Sequence, residues 1–156
     1  MYNQGMMKQV ISDSQEAAWA SYQRMRVRLT GQLNRELIQK TGLSEADFEI
    51  LSALTQSPEE SVRALALRCG LQWEKSRLSH QLRRMEARGL ITREECVEDN
   101  RGSVIRVTDA GRKFAAEAGL HYEQAVRRYV IDVLTPEQME ALGTIAETVL
   151  AQLGTE

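Results

Sequence analysis

The chain has 156 residues, 42% of them hydrophobic and 27% charged, with a formal net charge of −2, which is ordinary for one globular domain or a domain with an appendage. No segment approaches the roughly 18 apolar residues of a membrane span, and residues 1–12 lack a secretory signal, so we expect a cytoplasmic protein without a membrane partner. Two cysteines, two histidines and the lack of nucleotide-loop and nucleophile-elbow motifs argue against an enzyme, a cofactor or a metal site.

The charges are unevenly distributed along the chain. Between Ser61 and Lys113, twelve Lys and Arg residues stand against seven acidic ones, a net charge of +5, and the rest of the chain carries −7. A basic segment between acidic ends is the balance expected when one segment faces phosphate groups.

The first predicted element is a helix from about Ser14 to Lys40. Asp13 followed three residues later by Glu16 is typical of a helix start, and Thr41-Gly42 ends it. Its apolar stripe consists of Tyr22, Leu29, Leu33 and Leu37.

Three short helices are predicted next. Ser44 followed by Asp47 resembles a capping box and opens the second helix, which stops before Pro58. Ser61 is predicted to cap the third helix, which carries Leu65, Leu67 and Cys69. The fourth runs from about Glu74 to Arg88, with Leu78, Leu82 and Met85 facing inward and Gly89 ending it. Trp73 is expected to pack beneath this helix, and the alternative is that it stacks on a base.

The pattern then changes from helical to extended. Ile91 to Cys96 and Ser103 to Val107 are predicted strands of a hairpin with a polar tip at residues 97–102. After Thr108 a long helix carries Phe114, Ala118, Tyr122, Val126, Tyr129 and Val133. Thr135-Pro136 starts the last helix, whose apolar stripe is Met139, Leu142, Ile145, Val149 and Leu153.

The apolar stripes of the first and last two helices are too long for so thin a domain to cover. We expect these helices to pack against their copies in a two-fold homodimer, which buries the same surface twice. The alternative is a monomeric helical bundle in which the stripes pack on one another.

Two short helices, a tight turn and a hairpin with a charged tip follow the order of a helix-turn-helix and its wing. The fourth helix is the predicted reading helix, with small hydroxyls between long cations opposite its apolar face, which suits close approach to base edges and phosphates. A solvated helix face with no DNA contact is the alternative. The predicted DNA contacts of this helix are the polar stripe Lys75, Ser76, Ser79, His80 and Arg83 together with Arg77, which borders it. These six residues are called the outer stripe below.

Asn100 and Arg101 are the predicted DNA contacts of the wing tip. An arginine at the tip of a two-stranded projection can enter an adjacent minor groove and meet its focused negative potential. Asp99 is expected either to hold a neighbouring cation or simply to form the turn.

The segment from Leu71 to Arg112 resembles the recognition helix and wing of MarR-type (multiple antibiotic resistance regulator) transcription factors. The Leu/Met-Glu-x-x-Gly-Leu pattern is matched from Met85 to Leu90, Asp-x-Arg from Asp99 to Arg101, and Leu-Thr-x-x-Gly from Val107 to Gly111, with Val107 in place of leucine. The resemblance implies a homodimeric winged-helix regulator of a palindromic operator, usually a repressor, often released by a small molecule such as a phenol or aromatic acid.

The resemblance also divides the chain into regions. Residues 14–41 and 112–154 would be the dimerisation helices, and residues 44–111 the winged helix-turn-helix lobe, with the reading helix at about 74–88 and the wing at about 91–108. The inducer site implied by the resemblance would include Trp19, Tyr22, Arg26 and Phe48. Aromatic rings can stack on an aromatic carboxylate, and an arginine can pair with its charge. These side chains fit the dimer core equally well. The alternative for the whole chain is a winged-helix protein-interaction module without DNA binding.

Overall fold

A computed structural model describes residues 10–95 and 102–154 of the chain, which divides into two compact units at Gln32 and Leu33. Helix α1 spans Asp13–Thr41. Its start lies one residue earlier than predicted, because Ser12 rather than Asp13 is the cap: the Ser12 Oγ accepts from the backbone N–H of Gln15, and the Ser12 N–H donates to Gln15 Oε1. The predicted pair of Asp13 and Glu16 lies instead in the first turn, where acidic side chains favour the positive end of the helix dipole.

Helix α2 spans Glu45–Thr55, and the predicted capping box of Ser44 and Asp47 is confirmed. Both reciprocal hydrogen bonds are present, with Ser44 N to Asp47 Oδ2 at 2.9 Å and Asp47 N to Ser44 Oγ at 3.1 Å. Each bond satisfies a backbone donor that the helix itself leaves without a partner.

The prediction that Ser61 caps the third helix is wrong. After a 3-10 turn at Pro58–Glu60, residues Ser61–Arg63 form strand β1, and helix α3 begins only at Ala64 and ends at Leu71. Val62 pairs with Ile105, forty-three residues later in the chain. The expected two-stranded wing base is therefore a three-stranded antiparallel sheet in the order β1-β3-β2.

Helix α4 spans Lys75–Ala87, close to its predicted bounds. Gly89 has φ +76°, its N–H donates to Glu86, and the N–H of Leu90 reaches back to the carbonyl of Met85. This bonding pattern is a Schellman motif, which confirms the predicted helix end at Gly89.

The hairpin strands are β2, Ile91–Glu95, and β3, Ser103–Val107. They pair antiparallel from Ile91 opposite Val107 to Glu95 opposite Ser103, which confirms the predicted hairpin over these residues. Its tip lies outside the described residues.

Helix α5 spans Asp109–Val126 and continues into a π-helical turn at Arg127–Ile131, where one continuous helix was predicted. Beside this turn, Glu36 of α1 accepts hydrogen bonds from the hydroxyl of Tyr129 and from Arg128. Helix α6 spans Pro136–Leu153, and Thr135 and Gln138 form its capping box.

The hydrophobic core lies where α2, α4 and α5 meet the buried face of the sheet. Every member belongs to the unit that begins at Leu33, so one core holds the helix-turn-helix and the sheet together. Its members are Leu37, Leu43, Ile50, Leu51, Leu54, Leu67, Leu78, Leu82, Met85, Leu90, Ile91, Ile105, Val107, Ala115 and Ala118. No helix of the described chain is long and apolar enough to cross a lipid bilayer.

Candidate nucleic-acid interface

The turn between α3 and α4 is short because Gln72 adopts the left-handed conformation, at φ +55° and ψ +41°. Its N–H donates to the carbonyl of Cys69, and the N–H of Trp73 donates to that of Arg68 at 3.2 Å. These bonds use the last carbonyls of α3 and let α4 begin after only three intervening residues. The backbone thus has the predicted helix-turn-helix arrangement.

The outer stripe predicted on α4 lies on its exposed side. Five of its six members are exposed and Ser79 is half-buried. On the opposite side Leu78, Leu82 and Met85 are buried, as predicted. The helix is therefore held by its apolar side and presents hydroxyl, imidazole and cationic groups to solvent, which is the arrangement that a groove-reading helix needs.

A buried carboxylate that the sequence identified only as a capping group sets the orientation of α4. Asp47 is 5% exposed and accepts hydrogen bonds from Gln81 Nε2 and from Arg88 Nη1, the latter at 3.0 Å. Arg88 also donates to the carbonyl of Gly42 at 3.0 Å. Charge-assisted bonds of this kind, made in a buried site, fix the angle of α4 relative to α2.

Two further cations that the sequence analysis did not single out lie beside the outer stripe. Arg68 of α3 and Arg93 of β2 line, together with Lys75, a cavity of about 320 Å³ between α3, α4 and the sheet. The Nε and Nη2 atoms of Arg93 are buried and have no hydrogen-bond partner among the described residues. Arg93 as a whole is half-buried, and within the described residues these two N–H groups leave room for an acceptor.

The two predicted wing contacts, Asn100 and Arg101, lie outside the described residues, as do Asp99 and Cys96. The structure does describe β2 and β3, the paired strands that form the base of the wing. Arg106 of β3 lies there, with its Nη1 atom 3.4 Å from the carbonyl oxygen of Glu59.

The predicted inducer-site residues fall into the two compact units. In the first, the rings of Trp19 and Tyr22 are 5.3 Å apart and both side chains are exposed, and Arg26 donates to Gln23 Oε1. In the second, Phe48 packs on the core and its ring centroid lies 5.2 Å from that of Tyr122. The structure thus pairs Trp19 with Tyr22, and Phe48 with a tyrosine that was predicted only as part of an apolar stripe.

Two acidic residues lie near that second aromatic pair. Burial raises the pKa of Tyr122, and the charges of Glu45 and Glu49 raise it further. Burial and, to a lesser extent, the charge of Glu49 raise the pKa of Glu45 above its ordinary value. Burial and neighbouring acidic charge thus disfavour the ionised forms of Tyr122 and Glu45.

No group of three or more His, Cys, Asp or Glu side chains that could hold a metal ion occurs in residues 10–95 and 102–154. Cys69 is exposed and free.

Comparison with known proteins relates the whole arrangement to DNA-binding regulators. A family model described as MarR family matches residues 41–102. The chain is similar to Sco3205 of Streptomyces coelicolor, a MarR family transcriptional regulator solved in complex with DNA, with a TM-score of 0.87 and 31% identity, covering 94% of this chain and 96% of that one.

Two relatives are similar in sequence. The uncharacterized HTH-type transcriptional regulator YdgJ of Bacillus subtilis is 29% identical over 105 residues, and the match covers 60% of this chain and 63% of that protein, less than two thirds of its length. The homoprotocatechuate degradative operon repressor of Escherichia coli is 28% identical over 117 residues, covering 75% of this chain and 77% of the repressor.

Proposed function

Because the chain belongs to the MarR family of transcriptional regulators, we propose that it binds double-stranded DNA sequence-specifically and reads its site with α4. The observation that carries this proposal is the outer stripe, which is exposed on a helix whose opposite side is locked into the core. Rigid presentation of polar groups keeps the entropic cost of recognition low.

The contacts divide into those that position the protein and those that read bases. Ser76, His80 and Arg83 lie at the centre of the stripe and are proposed to face base edges. Lys75 and Ser79 complete the proposed positioning contacts of α4, and Arg68 and Arg93 add positive charge beside them. Arg77, at the border of the stripe, can reach either phosphate or guanine. Cations at the edge of a groove bind phosphates, which supplies affinity rather than sequence preference. The wing contacts Asn100 and Arg101 remain part of this proposal.

The proposal includes a homodimer, formed by residues 14–41 and 112–154, that binds an inverted repeat. Support comes from α6, which has no buried residue and whose apolar stripe is exposed from Leu142 onward, with Ile145 at 62% and Leu153 at 71%. An exposed row of large apolar side chains is costly unless a partner covers it, and a two-fold dimer covers it with a second copy.

Repression and release by an aromatic ligand complete the proposal. The Escherichia coli relative is the repressor of the homoprotocatechuate degradative operon, so we propose that this chain is likewise a repressor. Trp19, Tyr22, Arg26 and Phe48 are the proposed contacts of a phenolic or aromatic-acid effector. The exposed pair of Trp19 and Tyr22 rings supports this role, and burial of the same rings in the dimer is the competing explanation.

A binding-site selection from random duplex DNA tests the proposal with the full chain. We expect an enriched inverted repeat whose two halves lie about 34 Å apart, one turn of duplex. Arg83→Ala should weaken the enrichment, whereas Arg127→Ala, which removes an equal charge beyond the end of α5, should leave it. Enrichment of direct repeats would contradict the dimer, and no enrichment would favour the protein-interaction module.

A further inference from the structure

Trp73, in the turn before α4, contacts Arg77 one helical turn later. The Cζ atom of Arg77 is 3.8 Å from the centroid of the Trp73 ring system. This separation is well inside the roughly 6 Å at which a guanidinium is attracted to the face of an aromatic ring. Helical side chains lean toward the N-terminus, so the residue at i+4 reaches back over the residue at i.

The two partners differ in how firmly they are held. Trp73 is half-buried and packs on the core, and its backbone is bonded to Arg68 across the turn. Arg77 is exposed, and apart from the contact with Trp73 its side chain makes no hydrogen bond or ion pair with the described residues. The indole is therefore an anchored platform, and the guanidinium that rests on it keeps its N–H donors available.

We propose that Trp73 is a positioning residue that holds Arg77 ready to contact one base edge, and that this base is guanine. The inference rests on the proposed DNA-binding function and goes beyond it by naming the residue that orients the contact. A guanidinium held by its face leaves its N–H edge for a bidentate contact with O6 and N7 of guanine. Arg77 is the third residue of α4, and the N-terminal residues of a reading helix are those that contact base edges.

Holding the arginine before DNA arrives lowers the cost of binding. A free arginine loses most of its rotamer freedom when it is ordered in an interface, and part of that loss has already occurred on the Trp73 ring. The ring face, rather than the bulk of the tryptophan, is the property that matters. Phenylalanine at position 73 should therefore still position Arg77, and leucine should not.

The experiment measures equilibrium binding of the full chain to its selected operator, to operators with single base changes, and to random duplex. The readout is the ratio of affinities for guanine and adenine at each half-site position. We expect Arg77→Ala to lower that ratio roughly five- to a hundredfold at one position. Arg77→Lys should lower it at the same position while keeping affinity for random duplex, because lysine keeps the charge and lacks the fork.

The Trp73 variants test the positioning role. Trp73→Leu should lower the same ratio about two- to fivefold, the size expected for an exposed cation–π contact. Trp73→Phe should keep it within about twofold of the original. In the double variant Trp73→Leu/Arg77→Ala the ratio should equal that of Arg77→Ala alone, since removing the arginine removes the effect of its platform.

Val62→Ala is the matched control for a general loosening of the lobe. Val62 is also half-buried against the core and lies on β1, so its truncation should lower the unfolding midpoint without changing the base ratio. The same unfolding measurement on each Trp73 variant separates lost folding from lost readout.

Three results would overturn the inference. They are an unchanged ratio in Trp73→Leu, a Trp73→Phe variant as impaired as Trp73→Leu, and an Arg77→Ala variant that weakens operator and random duplex equally. A chain that binds no duplex with sequence preference would instead remove the proposed function itself, so the two failures are distinguishable.

Discussion

His80 and Arg83 lie in the middle of the outer stripe, where the proposed binding mode brings base edges nearer than the phosphates at the groove walls. Loss of a good base contact costs about 1–3 kcal/mol against the cognate base. His80→Ala or Arg83→Ala should therefore lower operator affinity roughly ten- to a hundredfold and change random-duplex affinity little. Fluorescence anisotropy with both duplexes measures the two affinities. Equal weakening on both would assign these residues to phosphate.

Gly111 lies where α5 starts against the sheet, and no side chain fits there. A Cβ atom at this position would lie 2.1 Å from the carbonyl oxygen of Leu90 and 2.9 Å from Val107 Cγ2. Gly111→Ala should lower the free energy of unfolding by about 1–3 kcal/mol or more, because a rigid backbone neighbour must move. Urea denaturation measures the change.

Gly119 provides the control on the same helix, since a Cβ there meets nothing within 4 Å. Gly119→Ala should leave stability unchanged or raise it by up to about 1 kcal/mol, the helix-propensity difference between the two residues. Equal destabilisation by both substitutions would show that the close approach at Gly111 is not what matters.

At the scale of elements, an ion-pair cluster joins the 3-10 turn before β1 to the first turn of α5. Arg112 binds the carboxylates of Glu60 and Asp109, with Arg112 Nη1 2.7 Å from Asp109 Oδ1. The hydrogen bond from Arg112 is the main cause of a lowered pKa at Glu60. The cluster thus connects two elements that are distant in sequence on either side of the helix-turn-helix.

The lowered pKa predicts how this connection depends on pH. A carboxyl group whose pKa is lower in the folded chain contributes stability above its unfolded pKa and loses it as the pH falls through the folded value. The difference in unfolding midpoint between the unsubstituted chain and Glu60→Gln should therefore be present at pH 7 and shrink below pH 4.5, the ordinary glutamate value. Because the pair is exposed, added salt should reduce the difference as well. A pH-independent difference would contradict this origin.

At the scale of the whole molecule, self-association should depend on the apolar stripe of α6. Ile145→Asp places a charge in the proposed dimer interface, where desolvation opposes it. We expect the dissociation constant of the dimer to rise at least about tenfold, which corresponds to roughly 1.4 kcal/mol. Sedimentation equilibrium measures this constant.

Ala151 offers the matched control because it lies about 180° around the helix from Leu142, at 100° per residue. Ala151→Asp introduces the same charge on the opposite side of α6 and should leave self-association unchanged. An Ile145→Asp chain as dimeric as the unsubstituted one would exclude this stripe from the interface, and operator binding should then also be unaffected.

Local sequence was sufficient for most of the elements. The caps at Ser44 and Thr135 and the end of α4 at Gly89 depend on residues within five positions of one another, so their pattern is visible in the chain itself. The polar side of α4 was predictable for the same reason, since helical periodicity alone separates Leu78, Leu82 and Met85 from the outer stripe. At α1 the sequence pattern indicated Asp13 as the cap, whereas Ser12 caps the helix in the structure. Both residue types are common helix caps, so the local pattern does not distinguish them.

Features that depend on distant partners were decided by the tertiary structure. Residues 61–63 form a strand because they pair with β3. A three-residue segment is too short to show the periodicity by which a strand is predicted from sequence. Gln81 is buried because Asp47 accepts its amide, thirty-four residues away. Arg68 and Arg93 share a cavity because α3 and the sheet pack together. The sequence by itself thus determined most of the helices, the caps at Ser44 and Thr135 and the exposed outer stripe, whereas long-range packing decided the third strand, the start of α3, the buried polar contacts and the cations beside α4, because non-local contacts form only after the elements have docked.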